Sequence, residues 1–200
     1  MAQSYIKRIL NAQVYDVARE TPLDAAPLLS ARLGNQAFLK REDLQPVFSF
    51  KCRGAYNKMV HLGGPARAGG VVAASAGNHA QGVALAASKL GIKATIVMPV
   101  TTPRIKVDAV KALGAKVVMH GDSFDEAAVR ARALTESEGF TFIHPFDDPD
   151  VIAGQGTVAV ELVRQAQQPL DYVFVCCGGG GLLAGMAAYL RYVWPQTRII

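Results

Sequence analysis

From Gly70 onward, apolar and polar positions fall into alternating blocks. VVAA at 71–74 is a short apolar run and predicts a buried strand, while SAGN at 75–78 carries turn chemistry. HAQGVALAASKL at 79–90 is alanine-rich and predicts a helix with Gly91 as its C-terminal cap. KATIVMP at 93–99 is a second apolar strand, closed by Pro99. Two strands joined through a helix run parallel. TPRIKVDAVKALG (102–114) then reads as a helix with Pro103 in its first turn, and AKVVMH (115–120) as a strand. Asp122 or Ser123 caps the next helix, FDEAAVRARALTESEG, and FTFIHP (140–145) is the strand after it. HPFDDPD is a polar, proline-bearing loop. Beyond it come a helix at 151–166, a buried strand DYVFVCC at 171–177, a glycine turn, and a helix LLAGMAAYLRYVW at 182–194 stopped by Pro195. TRII opens one more strand, so the chain is expected to be a fragment or truncated version of a longer protein. The expected class is α/β, with open, mostly parallel sheets and helices on both faces.

Composition narrows the function classes. Half of the 200 residues are hydrophobic, enough for a sizeable core. The net charge of +5 is spread out, with short basic runs such as Lys40-Arg41, so no nucleic-acid partner is expected. Tyr172 to Leu190 carries no charge and is long enough to span a bilayer. Four consecutive glycines interrupt it, and strand, turn and helix fit it better, so no membrane partner is expected. The three cysteines have neither disulfide-framework nor zinc spacing and imply reduced thiols in the cytoplasm. The N-terminal segment has no long apolar run, so no secretory leader is expected.

Three stretches could carry chemistry. CGGGGLLAG (177–185) places glycines between a strand and a helix, where backbone amides and a helix N-terminus can hold a phosphate. It lacks the Lys-Ser/Thr of a Walker loop, and Leu183 stands where a dinucleotide fingerprint needs glycine. A tight turn needing backbone freedom is the alternative. SAGNHAQG (75–82) is a second strand-to-helix turn, able to hold a carboxylate or simply to be capped by Ser75 or Asn78. The third is Lys51 in SFKCRGAYN, at the head of a predicted helix. A lone lysine is usually a solvated side chain, but desolvation makes its amine nucleophilic. An amine nucleophile, a phosphate turn and an anion-binding turn in one α/β chain point to pyridoxal 5'-phosphate. No metal is expected: Asp147, Asp148 and Asp150 read as a solvated loop, and His61, His120 and His144 lack partners at metal spacing. Cys52 reads as a small buried hydrophobe.

In that order, SFKCRGAYN, ASAGNHAQGVA and CGGGGLLAG resemble the threonine dehydratase and serine racemase branch of the fold-type II pyridoxal phosphate enzymes. TPL at 21–23, LKRED at 39–43 and VIAGQGT at 151–157 are similar to the same branch, and YIKRILNAQVYDVARETPL to its biosynthetic dehydratases. The resemblance covers the whole chain. It implies a tryptophan synthase β-like fold of two lobes: residues 54–153 as the small lobe, and 1–53 plus 154–200 as part of a large cofactor-binding lobe, incomplete here. Lys51 would carry the cofactor covalently and act as the catalytic amine. Phe50 would pack on the pyridine ring and Asn78 would reach its hydroxyl. Gly178, Gly179, Gly180 and Gly181, with the amide of Leu182, would hold the phosphate. Ser75, Gly77, Asn78 and His79 would surround the carboxylate of a small amino-acid substrate. The implied activity is conversion of L-threonine, and more slowly L-serine, to a 2-oxo acid and ammonia, the first step of isoleucine biosynthesis, in a full-length homo-oligomer. The alternatives are a serine racemase or serine dehydratase of the same branch, and an inert structural or binding module. The residue that partners the pyridine nitrogen in this family is expected beyond residue 200.

Overall fold

The computed structural model describes the backbone of residues 2–200 and the side chains from residue 5 onward. In chain order the elements are α1 (Ala2–Leu10), β1 (Leu23–Ala25), α2 (Pro27–Leu33), β2 (Phe38–Lys40), a short 3-10 turn (Glu42–Leu44), α3 (Lys51–Val60), α4 (Gly64–Gly69), β3 (Val71–Ala74) and α5 (Asn78–Leu90). There follow β4 (Ala94–Met98), α6 (Arg104–Ala112), β5 (Lys116–Met119), α7 (Phe124–Glu138), β6 (Thr141–Phe142), α8 (Pro149–Ala166), β7 (Tyr172–Val173), α9 (Gly181–Val193) and β8 (Arg198–Ile199).

Strand alternation decides which helix covers which face of the central sheet. That sheet has the order β5-β4-β3-β6 and is parallel throughout. Val71, Ala73, Ile96 and Met98 point to one side, into a cluster with α3, α5 and α6. Val72, Ala74 and Val97 point to the other, onto Ala127, Ala131 and Leu134 of α7. Both faces are therefore covered, as a parallel sheet requires. β7 and β8 form a second, two-stranded parallel ladder, packed on α8 and α9 through Val173 and Val175. β1 and β2 add an antiparallel pair that the sequence pattern does not announce.

Local chemistry fixes the helix ends. Ser123 accepts from the Glu126 amide, and the Glu126 carboxylate reaches back to the Ser123 amide, so Ser123 rather than Asp122 caps α7. Asp148 caps α8 by accepting from the amides of Asp150 and Val151, with Pro149 in the first turn. Gly91 closes α5 in the left-handed conformation at φ 66°.

Two expected strands are shorter than their apolar runs. β6 keeps only Thr141–Phe142, because the His144 ring accepts from the Phe146 and Asp147 amides and turns the chain away. Only Tyr172–Val173 of 171–177 is regular strand. Val175 still donates to the Ile200 carbonyl at 2.8 Å, but Phe174, Cys176 and Cys177 are exposed, so this segment is not the fully buried strand its composition implies.

Helix α8 is the spine between the two parts of the molecule, packing against α1, α3 and α9. Its glycines allow this. A Cβ on Gly154 would lie 2.7 Å from Gly54 Cα and 2.8 Å from the Arg53 carbonyl oxygen. The expected lobe boundaries at 53/54 and 153/154 thus fall inside two continuous helices, at the point where those helices touch.

Candidate active site

Lys51 opens α3. Its amide donates to Ser49 Oγ at 3.3 Å, and the Arg53 amide closes the first turn onto the Phe50 carbonyl at 3.0 Å. Just upstream, Phe48 holds a left-handed φ of 54°, rare for a residue with a bulky side chain. From the other side, a Cβ on Gly82 of α5 would sit 3.0 Å from the Lys51 carbonyl group. The backbone of Lys51 is thereby held between a strained turn and a helix that only glycine allows so near.

The side chain is half-buried. Nζ donates to the Pro145 carbonyl at 2.6 Å and stands 5.5 Å from the centre of the Phe50 ring. No carboxylate pairs with it among the described residues. Burial lowers the pKa of this amine below its ordinary value, and the nearby Cys176 sulfur partly offsets the effect.

The turn after β3 presents its backbone. Gly77, not Ser75 or Asn78, is the N-cap of α5, and it uses no side-chain cap. Ser75 Oγ instead accepts from the Gly77 amide at 3.1 Å, and Asn78 is exposed. His79 is buried, with Nε2 donating to the Ile143 carbonyl at 2.9 Å and Nδ1 without a partner among the described residues. Burial pushes its pKa down to about 4, so the ring is neutral at pH 7.

The glycine turn lies against Phe146. Gly180 has φ 86° and is the N-cap of α9, a conformation that favours glycine. The amides of Gly178, Gly179 and Gly180 donate to no protein acceptor among the described residues. The first amides of α9 are free by helix geometry. A Cβ on Gly179 would run into the Phe146 ring, and one on Gly181 would lie 2.7 Å from the Phe146 carbonyl oxygen. Phe50 and Leu182 pack against the same apolar cluster.

The loop at 144–147 joins these parts, and sequence reasoning passed over it as a polar connection. His144 Nδ1 accepts from the amides of Phe146 (3.2 Å) and Asp147 (2.7 Å), so its proton sits on Nε2. Its ring meets Phe146 edge-on at 4.6 Å, and burial lowers its pKa. The Lys51 charge is felt at both His79 and His144, and Cys176 is felt at Lys51. Segments around 51, 79, 144 and 176 therefore converge at the carboxyl ends of the strands. Lys51, Phe50, the 75–79 turn and the 178–182 turn are all brought to this region. The Asn78 side chain makes no hydrogen bond there among the described residues.

This donor set fits pyridoxal phosphate. A desolvated amine without a carboxylate partner suits an aldehyde, and a glycine turn with unpaired amides at a helix N-terminus suits a phosphate. Among the described residues, no group of three or more His, Cys, Asp or Glu is placed to hold a metal ion. No described helix is long and apolar enough to cross a membrane.

Behind Lys51 lies a buried ionic cluster that the sequence analysis missed. Arg53 is fully buried and pairs with Glu161 (2.6 Å) and Glu42 (2.7 Å). Glu161 also receives Lys40 Nζ at 2.6 Å and the Tyr15 hydroxyl at 2.9 Å. Burial alone would raise the Glu161 pKa, but the Arg53 and Lys40 contacts outweigh it and hold the carboxyl below its usual range.

The sequence profile of the pyridoxal-phosphate dependent enzymes matches residues 14–200. The chain is 61% identical over 199 residues to the chloroplastic biosynthetic threonine dehydratase of Arabidopsis thaliana, covering 100% of this chain and 34% of that protein. It is 57% identical over 202 residues to the biosynthetic L-threonine dehydratase IlvA of Burkholderia multivorans, covering 100% of this chain and 40% of that one. The solved structure of the processed form of threonine deaminase isoform 2 from Solanum lycopersicum superposes with a TM-score of 0.96 at 53% identity, covering 99% of this chain and 54% of that one. The chain thus spans 34–40% of the length of these two curated relatives.

Proposed function

This chain belongs to the pyridoxal-phosphate dependent enzymes, and from that premise we propose that the protein carrying it is a threonine dehydratase, converting L-threonine to 2-oxobutanoate and ammonia as the first step of isoleucine biosynthesis. The observation that carries the reading is the Lys51 amine, half-buried, without a carboxylate partner among the described residues, and held on a loop whose Phe146 packs on the glycine turn. The names of the relatives support the choice of substrate. L-Serine, one methyl smaller, is a slower substrate, since a methyl in a pocket is worth about 1–3 kcal/mol. The cytoplasmic location, the homo-oligomeric full-length form and the two lobes meeting at Gly54 and Gly154 belong to the same proposal.

Each group has a task in this reading. Gly178 to Gly181 and the Leu182 amide would hold the phosphate, Phe50 would back the ring, and Asn78 would reach its hydroxyl. Ser75, Gly77, Asn78 and His79 hold the substrate carboxylate at the N-terminus of α5, where the helix dipole favours an anion. His79 serves there through its backbone amide, because its ring is committed to the Ile143 carbonyl. The bound cofactor supplies an aldehyde for the amine and a conjugated ring that accepts the electron pair left at the substrate Cα. Lys51 Nζ is the base for the Cα proton. Its depressed pKa enlarges the neutral, proton-accepting fraction near pH 7. The Pro145 carbonyl orients one N–H of this nitrogen and cannot compete for its lone pair. Phe50, Leu182 and Phe146 exclude water around it.

Borohydride treatment of the full chain with its cofactor is expected to fix the cofactor on the peptide carrying Lys51, and Lys51→Ala to abolish both this adduct and 2-oxobutanoate formation. An adduct that survives in Lys51→Ala would remove the assignment. D-Serine formed from L-serine without any 2-oxo acid would replace dehydration by racemisation. A full chain that binds no cofactor would make this lobe an inert module.

A further inference from the structure

We propose that the buried Arg53–Glu161 pair, with Glu42 and Lys40 beside it, is a positioning device that fixes the first turn of α3 and so sets where the Lys51 amine stands; the role given to Lys51 rests on the function proposed above. Arg53 follows Lys51 by two residues, about 200° around the helix, so the two side chains leave the same turn in nearly opposite directions. All three nitrogens of the guanidinium are engaged. Nε and Nη2 donate to the two oxygens of Glu42 at 2.8 and 2.7 Å. Nη1 and Nη2 donate to the two oxygens of Glu161 at 2.6 and 3.0 Å. Nη1 also reaches Thr157 Oγ1 at 3.1 Å, and Nη2 the Arg19 carbonyl at 3.2 Å.

Two forked carboxylate contacts from different directions leave the guanidinium no freedom to rotate or slide. One carboxylate belongs to α8, the other to the 3-10 turn before the Phe48 bend. The cluster is neutral, two cations against two anions. Stability alone gives little reason for burying Arg53 and Glu161, because apolar side chains of similar volume commonly do as well. Such a cluster does define register: any shift of α3 along or about its axis strands a charge away from water. Lys51 needs that register. Among the described residues its own side chain makes one hydrogen bond, from Nζ to the Pro145 carbonyl, and its depressed pKa depends on staying in the dry position.

The test follows Lys51 itself in the cofactor-free full chain. Reductive methylation of Lys51 is measured by peptide mass spectrometry as a function of pH, well below the melting temperature of each protein. Arg53→Lys keeps the charge but not the fork, and Glu161→Gln keeps the shape but not the charge. Ser123→Ala weakens the cap of α7, which no residue of this cluster touches. Both cluster variants are expected to move the Lys51 labelling curve toward higher pH, with severalfold slower labelling on its acid limb. Ser123→Ala is expected to lower Tm and leave the curve in place. Folded cluster variants with the wild-type labelling curve would overturn the proposal. Failure of both to fold would make the pair a stability element and overturn it as well. If the curve stays in place while wild-type protein still traps cofactor on Lys51, only this proposal fails. If the curve moves in a protein that never traps cofactor, only the functional reading fails.

Discussion

Replacing Gly154 by alanine tests the contact on which the arrangement of α3 and α8 depends. Taken by itself the change favours the folded state, because alanine in a helix interior is better than glycine by about 1 kcal/mol. The tertiary contact opposes it. The new Cβ would lie 2.7 Å from Gly54 Cα, 2.8 Å from the Arg53 carbonyl oxygen and 2.9 Å from Asn57 Cβ. Ordinary carbon contacts lie at about 3.5–4.0 Å, so the helices must part by roughly 1 Å. Two of the three atoms are backbone and cannot swing aside, which places the overpacking penalty near the upper end of the usual range, about 3 kcal/mol. The net loss is about 2 kcal/mol, and the expected fall in Tm is about 4–8 °C. Gly64→Ala is the companion variant, since nothing stands within 4 Å of its added Cβ and it too lies in a helix. Thermal unfolding followed by circular dichroism should show Gly154→Ala well below wild type and Gly64→Ala at or slightly above it. A Gly154→Ala protein as stable as Gly64→Ala would mean that α3 and α8 do not touch at this point, and the account of how these two helices pack would be wrong.

Gly181→Ala sets a Cβ 2.7 Å from the Phe146 carbonyl oxygen. The added side chain should push the 145–147 segment off the glycine turn and weaken cofactor phosphate binding about tenfold, the equivalent of roughly 1.4 kcal/mol. Spectroscopic titration with pyridoxal phosphate measures this, and an unchanged affinity would separate the turn from the phosphate. His79 gives a pH signature. Its folded pKa of about 4 lies below its ordinary 6.5, so the unfolded chain binds the extra proton first as pH falls. Its contribution is complete above about pH 6.5 and declines as pH drops toward 4, by up to about 3 kcal/mol in all. Urea unfolding of His79→Gln across that window should show a flatter acid limb than wild type, and equal slopes would refute the buried neutral ring.

The central sheet was legible because its strands are short, apolar and punctuated. Val71–Ala74 matched its run, and Gly91 and Ser123 took the capping roles their residue types favour. Lys51 was legible as the first residue of a helix, and the glycine turn as a helix entry. Periodicity could not show where a strand stops when the stop is made by a side chain, as His144 does for β6. Nor could it show the ionic cluster. Arg53, Glu161, Glu42 and Lys40 each look like surface charges in a linear reading, and only the fold brings partners more than a hundred residues apart into one dry space. The signal was there in part: α8 carries Glu161 on the side that also presents Ala153, Gly154 and Thr157, all buried, and a charge on an otherwise small, apolar face invites a search for its partner. The loop at 144–147 was missed because its contact with Lys51 is a backbone carbonyl, which no residue type advertises, and because its His144 and Phe146 rings act on backbone that only the fold brings near.

The ionic cluster also imposes an order on synthesis. Glu161 lies 108 residues after Arg53 and 121 after Lys40. At about 5–20 residues per second, the ribosome delivers it about 5–20 s after the arginine. The sheet β3–β6 and its helices are complete in the nascent chain before Glu161 emerges, whereas Arg53 and Lys40 have no carboxylate of α8 to meet. Val14, Val17 and Ala18 can already pack on Cys52 and Leu85 at that stage, whereas the Lys40 segment must wait for α8. In stalled nascent chains, protease should cut the segment around Lys40 freely until α8 has cleared the exit tunnel, and only then should it become protected. The ionic cluster behind Lys51 would thus be completed late, although Lys40, Glu42 and Arg53 are made early.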